Sequence, residues 1–408
     1  MMISSSKMVT TEKTLTLTSQ SPSLNVQLLP TLPFDLIPEI LCWLPVIFLL
    51  RFRSVCKSWN SLISSDLKFA KKQHFCMSTT RRLHFVSHAS YSNKYTFTSY
   101  PIDFLNIRIR KRKRKRKRKE RIKATNLNLT RFEYFSTGGN YAMASSDHFV
   151  GSCNGIICIA NHYTGLVILC NPSIRTIKEL PLFEKPSKVY SNNMTFGFGY
   201  DSFRDTYKVV VGLRYQIQDS NGNYIHKIEV KVHTLDTNIW KSIQDFPYGV
   251  GPIDLQPGKF VSSAINWLCS DEIQLRNPSF IVSYDLGKES YQKILPPNYG
   301  GVDVCKLWTL DVLRDCLCAT SGDNVWAMKD VWIMKEYGNV GSWIKLYTID
   351  SSKYHIEAVH IFENDQVLVK ICPHSKIFVY NSRNCTFKCG NFERIPEICV
   401  ESLISSCF

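Results

Sequence analysis

Hydrophobic positions along this chain follow two different periods. Between residues 31 and 75 they return every three or four positions. Leu36, Ile37, Ile40, Leu41 and Leu44 form one set, and Phe48, Leu49, Phe52, Val55, Cys56 and Trp59 form a second. That spacing predicts two amphipathic helices. Asp35 stands at an N-cap position, Pro38 falls in the first turn where its missing N–H costs little, and Pro45 ends the first helix. Leu62-Ile63 and Asp66 to Ala70 predict two short closing turns, with Asp66 as a cap. Residues 1–30 are rich in Ser, Thr and Gln without either period and read as a disordered tail.

Beyond residue 76 the helical period fades. Short β-branched and aromatic runs separated by Gly, Pro, Asn and Asp take its place, as in Gly165 to Leu169, Tyr207 to Gly212, Ile228 to His233 and Lys376 to Tyr380. The reading is all-β from about residue 140. Within it a unit repeats: an apolar strand, a polar turn, then a strand with an aromatic or β-branched residue and often Lys. Copies run over Val167–Pro181, Val230–Ile243, Ile281–Pro296 and Ile377–Lys388, with a further candidate over Val325–Leu346. Turns near residues 171, 235, 285, 337 and 381 give intervals of propeller-blade size. The apolar segments Gly151–Cys158, Ser263–Cys269 and Asp315–Ala319 are expected to be innermost strands. No hairpin of this kind buries its own apolar face, so neighbours must stack, as kelch-type blades or in a β-sandwich.

Charge changes the picture less than its total suggests. The formal net charge is +16, but Arg108 to Lys123 holds 13 Lys/Arg against one Glu, a net +12, leaving +4 for the rest. Arg110, Lys111, Arg112, Lys113, Arg114 and Lys115 open ten consecutive cations. Such a run is solvated, and it is compatible with nuclear import, with phosphate-backbone contact, or with a tolerated surface insertion. No aromatic residue interleaves with it, which argues against a base-stacking nucleic-acid platform. Fifteen cysteines lie largely in apolar runs without a secretory leader, so they are expected to be reduced, in the cytoplasm or nucleus. No run of 18 apolar residues predicts a membrane span.

With 44% hydrophobic residues the chain can build one large core and a small accessory module. The helical module, about 45 residues, is too small to stand alone without staples, metal or a partner. Its apolar surface must therefore belong either to a partner or to the chain's own β domain.

The residues here carry a resemblance. Leu32-Pro-Phe-Asp-Leu-Ile-Pro-Glu-Ile-Leu-Cys-Trp-Leu-Pro45, followed by Leu49-Leu-Arg-Phe-Arg-Ser-Val-Cys-Lys-Ser-Trp-Asn-Ser-Leu-Ile63, strongly resembles the F-box. Gly151-Ser-Cys-Asn-Gly155, Leu169-Cys-Asn-Pro-Ser173, Phe196-Gly-Phe-Gly-Tyr-Asp201 and Tyr207-Lys-Val-Val210 resemble the associated, kelch-like domain of plant F-box proteins. The resemblance implies a small all-α F-box over 31–75, a linker with first strands and the basic tract 108–123 over 76–140, a β-propeller-like domain over 141–395, and a tail over 396–408. It implies a substrate-recruiting subunit of a Skp–cullin–F-box ubiquitin ligase. A Skp-family adaptor would bind the F-box and bridge to cullin and its RING subunit, while an unknown target protein binds the β domain. Leu32, Pro33, Leu36, Ile40, Leu41, Leu44 and Pro45 are expected at the adaptor, with Leu49, Leu50, Val55, Cys56 and Trp59 either there or in the module's own core. Where the family pattern has Val-Lys-Ser-Leu-Leu, this chain has Val46-Ile-Phe-Leu-Leu50. The second helix is then expected to start without its Ser cap, Phe48 being unable to supply one, at a cost of about 0.5–2 kcal/mol. Tyr215, Tyr224, Tyr248 and Tyr299 lie in or beside turn-like stretches and are candidates for target binding.

No catalytic constellation competes with this reading. Gly197-Phe-Gly199 lacks the third glycine of a dinucleotide loop, no Gly-x-Ser-x-Gly elbow or His-Glu-x-x-His occurs, and no Cys-x-x-Cys pair offers zinc spacing. No cofactor, metal or catalytic residue is expected. The alternatives are a propeller enzyme or ligand-binding protein whose helical leader packs on it, and a chromatin-associated protein driven by the basic tract.

Overall fold

The computed structural model describes residues 33–77, 83–91, 94–101, 125–129, 147–162, 164–185, 194–218, 220–247, 252, 256–270, 280–297, 309–322, 328–350, 355–361, 366–372, 376–381, 386–390 and 397–405. The expected tail over residues 1–30 and the basic tract lie outside these.

Four helices come first: α1 (Leu36–Leu41), α2 (Val46–Phe52), α3 (Lys57–Ser65) and α4 (Leu67–Met77). Three differences from the periodic reading are informative. The second predicted helix is broken into α2 and α3, because the Arg53–Cys56 turn preserves a three-to-four spacing while leaving the helical path. The two closing turns are instead the end of α3 and the longer α4. Pro45 does not end α1, which stops at Leu41; it is the N-cap of α2 and gives no side-chain bond. The missing cap is thus at position 45, and Phe48 already lies inside the first turn. Asp35 stands at the N-cap of α1 without a side-chain bond, whereas Asp66 caps α4, its Oδ1 accepting from the Phe69 N–H at 2.9 Å.

The described strands form six four-stranded antiparallel sheets. In chain order the strands are β1 (Leu83–Tyr91), β2 (Lys94–Pro101) and β3 (Thr125–Leu129); β4 (Asp147–Cys153), β5 (Ile156–Asn161), β6 (Val167–Asn171) and β7 (Thr176–Glu179); β8 (Met194–Asp201), β9 (Thr206–Gln218), β10 (Tyr224–Thr234) and β11 (Ile239–Ser242). Then follow β12 (Lys259–Val261), β13 (Ala264–Cys269), β14 (Phe280–Asp285) and β15 (Ser290–Ile294); β16 (Thr309–Leu313), β17 (Cys316–Gly322), β18 (Met328–Met334) and β19 (Trp343–Asp350); and β20 (His355–Ile361), β21 (Gln366–Cys372), β22 (Lys376–Asn381), β23 (Thr386–Gly390) and β24 (Glu397–Val400). Five sheets are consecutive quartets. The sixth has the order β24-β1-β2-β3, so the last strand of the chain pairs with the first, Leu83 opposite Val400 and Val86 opposite Glu397. Sheets meet through β24, β4, β8, β12, β16 and β20. These are the innermost strands of a six-bladed propeller.

The repeat read in the sequence is the outer hairpin of each blade: β6–β7, β10–β11, β14–β15, β18–β19 and β22–β23. In three of them the residue just before the fourth strand takes a left-handed conformation: Arg175 (φ 60°), Asn238 (φ 54°) and Glu289 (φ 52°). Asn171 and Asp285 fold these turns, accepting backbone N–H bonds from Ser173 and from Gly287 and Lys288. Two expectations are corrected. Of the segments expected innermost, Ser263–Cys269 and Asp315–Ala319 are β13 and β17, the second strands of their blades, while Gly151–Cys158 spans the end of the innermost β4 and the start of β5, a second strand. Every residue of β5 and β13 is buried because adjacent blades cover both faces, which removes the period-2 alternation. Strands begin at Leu83, within the stretch expected to hold the first of them, but residues 397–404 are not a tail. Cys399, Ser402, Leu403 and Ile404 are buried, and the Asn171 amide donates to the Ser402 and Ile404 carbonyls at 2.9 and 2.7 Å. Gly155 (φ 83°) closes the β4–β5 turn against this segment, where an added Cβ would stand 2.3 Å from Ser402 Cβ.

His233, within β10, is fully buried edge-on to Trp240. Burial, reinforced by the Lys178 charge, pushes its imidazole down to about 4. The unfolded chain binds that proton near pH 6.5, so this contribution is complete above pH 6.5 and is lost as pH falls toward 4. Urea unfolding at pH 7 and at pH 4.5 is expected to show roughly 2 kcal/mol of acid destabilisation from this residue. His233→Leu should flatten that difference; an unchanged pH slope in a folded variant would refute it.

Candidate interaction surfaces

The helical module has an inside and an outside. Leu41, Val46, Leu49, Ile63 and Phe69 are buried and continuous with the cluster formed by side chains of β4 to β9. Polar contacts fix the arrangement. Gln73 Nε2 donates to the Leu44 carbonyl at 3.2 Å, the Lys72 ammonium pairs with Glu39 across α1 and α4, and Lys71 pairs with Asp205 in the β8–β9 turn. Hydrogen bonds from Lys71 and from the Tyr200 hydroxyl hold the Asp205 carboxyl below its usual range. The helices therefore do pack on the chain's own β domain.

A large apolar surface is nevertheless left uncovered. Of the residues expected at the adaptor, Pro33, Leu36, Ile40, Val55 and Cys56 are exposed; Leu44, Leu50 and Trp59 are half-buried; Leu41, Pro45 and Leu49 are buried in the core; Leu32 lies outside the described residues. Around the exposed group stand Phe34, Trp43, Ile47 and Phe48, with Trp43 59% and Ile40 51% exposed in the presence of the whole β domain. Phe34, Trp43, Ile47 and Phe48 were not among the expected contacts. Their signal was available: α1 and α2 carry apolar residues all round, and a helix of that kind is covered on all sides. Nine exposed residues of this type on a short module are more apolar surface than a soluble protein ordinarily leaves open.

The β domain presents a second surface. Strands alternate in direction, so the turns joining first to second and third to fourth strands share one end of the propeller. The second-to-third and blade-to-blade connections share the other. Asp205, and with it the helical module, is at the first end. Tyr224 opens β10 at the second end and is 68% exposed, whereas Tyr215, paired in register with Lys227, is half-buried. Tyr248 and Tyr299 lie outside the described residues. The β9–β10 ribbon overruns its neighbours: β8 pairs with β9 only as far as Leu213, and β11 with β10 only as far as Lys231. Leu182, Ile225 and Leu295 add exposed apolar side chains at this end and were not anticipated, since sequence alone does not separate a covered Leu from an open one.

Among the described residues no group of three or more His, Cys, Asp or Glu is placed to hold a metal ion, and no helix is long and apolar enough to cross a membrane.

Comparison with known proteins agrees with both halves. Residues 121–405 match the F-box associated beta propeller domain, and residues 29–71 match the F-box domain. An F-box/kelch-repeat protein of Arabidopsis thaliana is 30% identical over 360 residues, 87% of this chain and 89% of the relative. A second Arabidopsis thaliana F-box protein is 26% identical over 347 residues, 79% of this chain and 73% of the relative. Among solved structures, an oligogalacturonate lyase in complex with manganese superposes with a TM-score of 0.39 at 9% identity, covering 76% of this chain and 78% of that one, too distant to bear on function. An uncovered apolar helical face joined to a six-bladed ring, matched by both family models, makes this chain a plant F-box protein with a C-terminal F-box-associated β-propeller domain.

Proposed function

We propose that the chain recruits target proteins to a Skp–cullin–F-box ubiquitin ligase, its helical module binding a Skp-family adaptor and its propeller binding the target. The observation that carries this reading is the apolar face of α1 and α2, open although the same helices already bury Leu41, Val46 and Leu49 in the chain's own core. Each such side chain is worth roughly 1.5–3 kcal/mol when a partner covers it. Pro33, Leu36, Ile40 and Val55, with Phe34, Trp43 and Ile47 beside them, are the residues assigned to the adaptor; Leu41, Pro45 and Leu49 support them from within. The subunit contributes proximity, raising the concentration of target near the charged enzyme and fixing its orientation. The target end is the one away from the helices, where Tyr224 and the β9–β10 ribbon are open.

The test is capture of a purified Skp-family adaptor by the full chain and by an Ile40→Asp, Trp43→Asp variant. Both positions are exposed, so the fold should survive. The expected result is a loss of at least 100-fold in affinity, the scale of truncating central interface anchors. Equal capture by both proteins, or none by a folded wild type, would overturn the reading.

A further inference from the structure

Two thiols meet in the helical module. Cys42, the residue that follows α1, is fully buried, and its Sγ lies 3.2 Å from Sγ of Cys76 near the end of α4. The Cys76 thiol donates toward the Cys42 sulfur, which itself donates to the Glu39 carbonyl at 3.1 Å. A disulfide needs an S–S separation of about 2.05 Å, so closing this pair asks for roughly 1 Å of movement between helices already in contact. The buried propeller cysteines lack the access that Cys76 has. Cys153, Cys158, Cys170, Cys318 and Cys399 are buried within the propeller, where burial pushes every one of these thiols well up and away from the reactive thiolate. Cys76 is only half-buried.

We propose that Cys42 and Cys76 are a reversible disulfide site, oxidised by a low-molecular-weight disulfide such as glutathione disulfide. The Cys76 thiol gives its proton to solvent, and the thiolate attacks one sulfur of glutathione disulfide. A mixed disulfide forms and one glutathione thiolate leaves. Cys42 then loses its proton and attacks the Cys76 sulfur, forming the protein disulfide and expelling the second glutathione. Two protein thiols and one glutathione disulfide thus become one protein disulfide and two glutathione molecules. Burial and the neighbouring sulfur push the Cys42 thiol up to about 11, so in the reduced pair Cys76 is the sulfur that attacks first. The bond encloses residues 43–75, all of α2 and α3, and ties α1 to the helix that Lys71 anchors on the propeller. Among the described residues α1, α2 and α3 have no side-chain cap bond at their N-termini, so this tie supplies order that their ends lack. On the reading proposed above, it holds the Leu36, Ile40 and Trp43 face in its binding arrangement.

The full chain is incubated with glutathione disulfide, alkylated, digested without reductant and mapped by mass spectrometry, beside Cys76→Ser. A peptide linking Cys42 to Cys76, removed by dithiothreitol and absent from the variant, is the expected result. Amide exchange in α2 and α3, the helices inside the loop, should slow on the order of 100-fold in the oxidised form, as closure of a loop of this length implies. Circular dichroism establishes that both proteins are folded beforehand. Thiol mapping reads the bond without any adaptor, so it succeeds or fails independently of the proposed function. Two outcomes would overturn the proposal. One is Cys42 and Cys76 both alkylated while Cys56 carries glutathione, Cys56 being exposed and its thiol drawn down by the Ser58 hydroxyl. The other is a mixed disulfide on Cys76 that Cys42 never resolves.

Discussion

Ending the chain before Glu397 is expected to abolish folding of the propeller rather than merely loosen it. The removed segment is the innermost strand of the first blade, paired with β1 from Leu83 to Val86. It also withdraws Leu403 and Ile404, both nearly inaccessible, at about 1.5–3 kcal/mol each. The Asn171 amide would lose both carbonyl acceptors, at about 0.5–1.5 kcal/mol each. Together these rival the 5–15 kcal/mol by which a domain is usually stable. Thermal unfolding of the truncated chain should show no cooperative transition, and most of it should be insoluble. A truncated protein melting within a few degrees of the full chain would show that β24 is dispensable to closure.

Asp201→Ala is expected to cost about 3–5 kcal/mol, the usual penalty for stranding a buried charge. Asp201 and Lys208 are both inaccessible, with Lys208 Nζ 2.9 Å from the carboxylate. The same carboxylate accepts the Phe203 and Arg204 backbone N–H groups and the Arg204 guanidinium. Burial alone would raise the Asp201 carboxyl, but the bonds from Lys208 and Arg204 outweigh it and hold the group below its ordinary value. Lys208 also donates to the Leu286 carbonyl at 2.7 Å and to Glu289 at 3.1 Å, so one cation ties the β8–β9 turn to the β14–β15 turn of the next blade. Removing the carboxylate leaves that cation facing only the half-exposed Glu289. The pair's contribution disappears on acidification, as Asp201 takes up its proton below the usual carboxylate range. Urea unfolding of Asp201→Ala, Lys208→Met and the double variant forms the cycle that measures the coupling. The double variant should recover much of the loss. Additive costs in the cycle would mean the two charges do not depend on one another.

The sequence carried the blade repeat because its chemistry sits in the outer hairpins. Asn171 and Asp285 must fold a turn, and the fourth strands such as β7 and β11 keep polar positions that face water. It misplaced the inner strands because a continuous apolar run such as Ile156 to Ala160 reports cover on both faces, not distance from the axis. The first blade was illegible for another reason. The basic tract falls between β2 and β3, at the place where the other blades have a short turn, and the fourth member of that sheet comes from the far end of the chain. In the helical module the motif was plain, but its two faces were not. Leu41 and Ile40 are neighbours of equal hydrophobicity, 3% and 51% exposed, and only the position of the propeller beneath α1 separates them.

Order of synthesis gives the closing strand a further meaning. A chain emerging from the ribosome completes α1 to α4 within its first fifth, while β1 waits for a partner made only in the last few residues. Protein chains are made at about 5–20 residues per second and fold from the N-terminus first. For many seconds the nascent protein therefore carries the whole helical segment beside an open ring. A ribosome that stalls late leaves an open ring and also helices short of part of their own core, since Leu403 and Ile404 belong to the cluster that buries Leu41 and Val46.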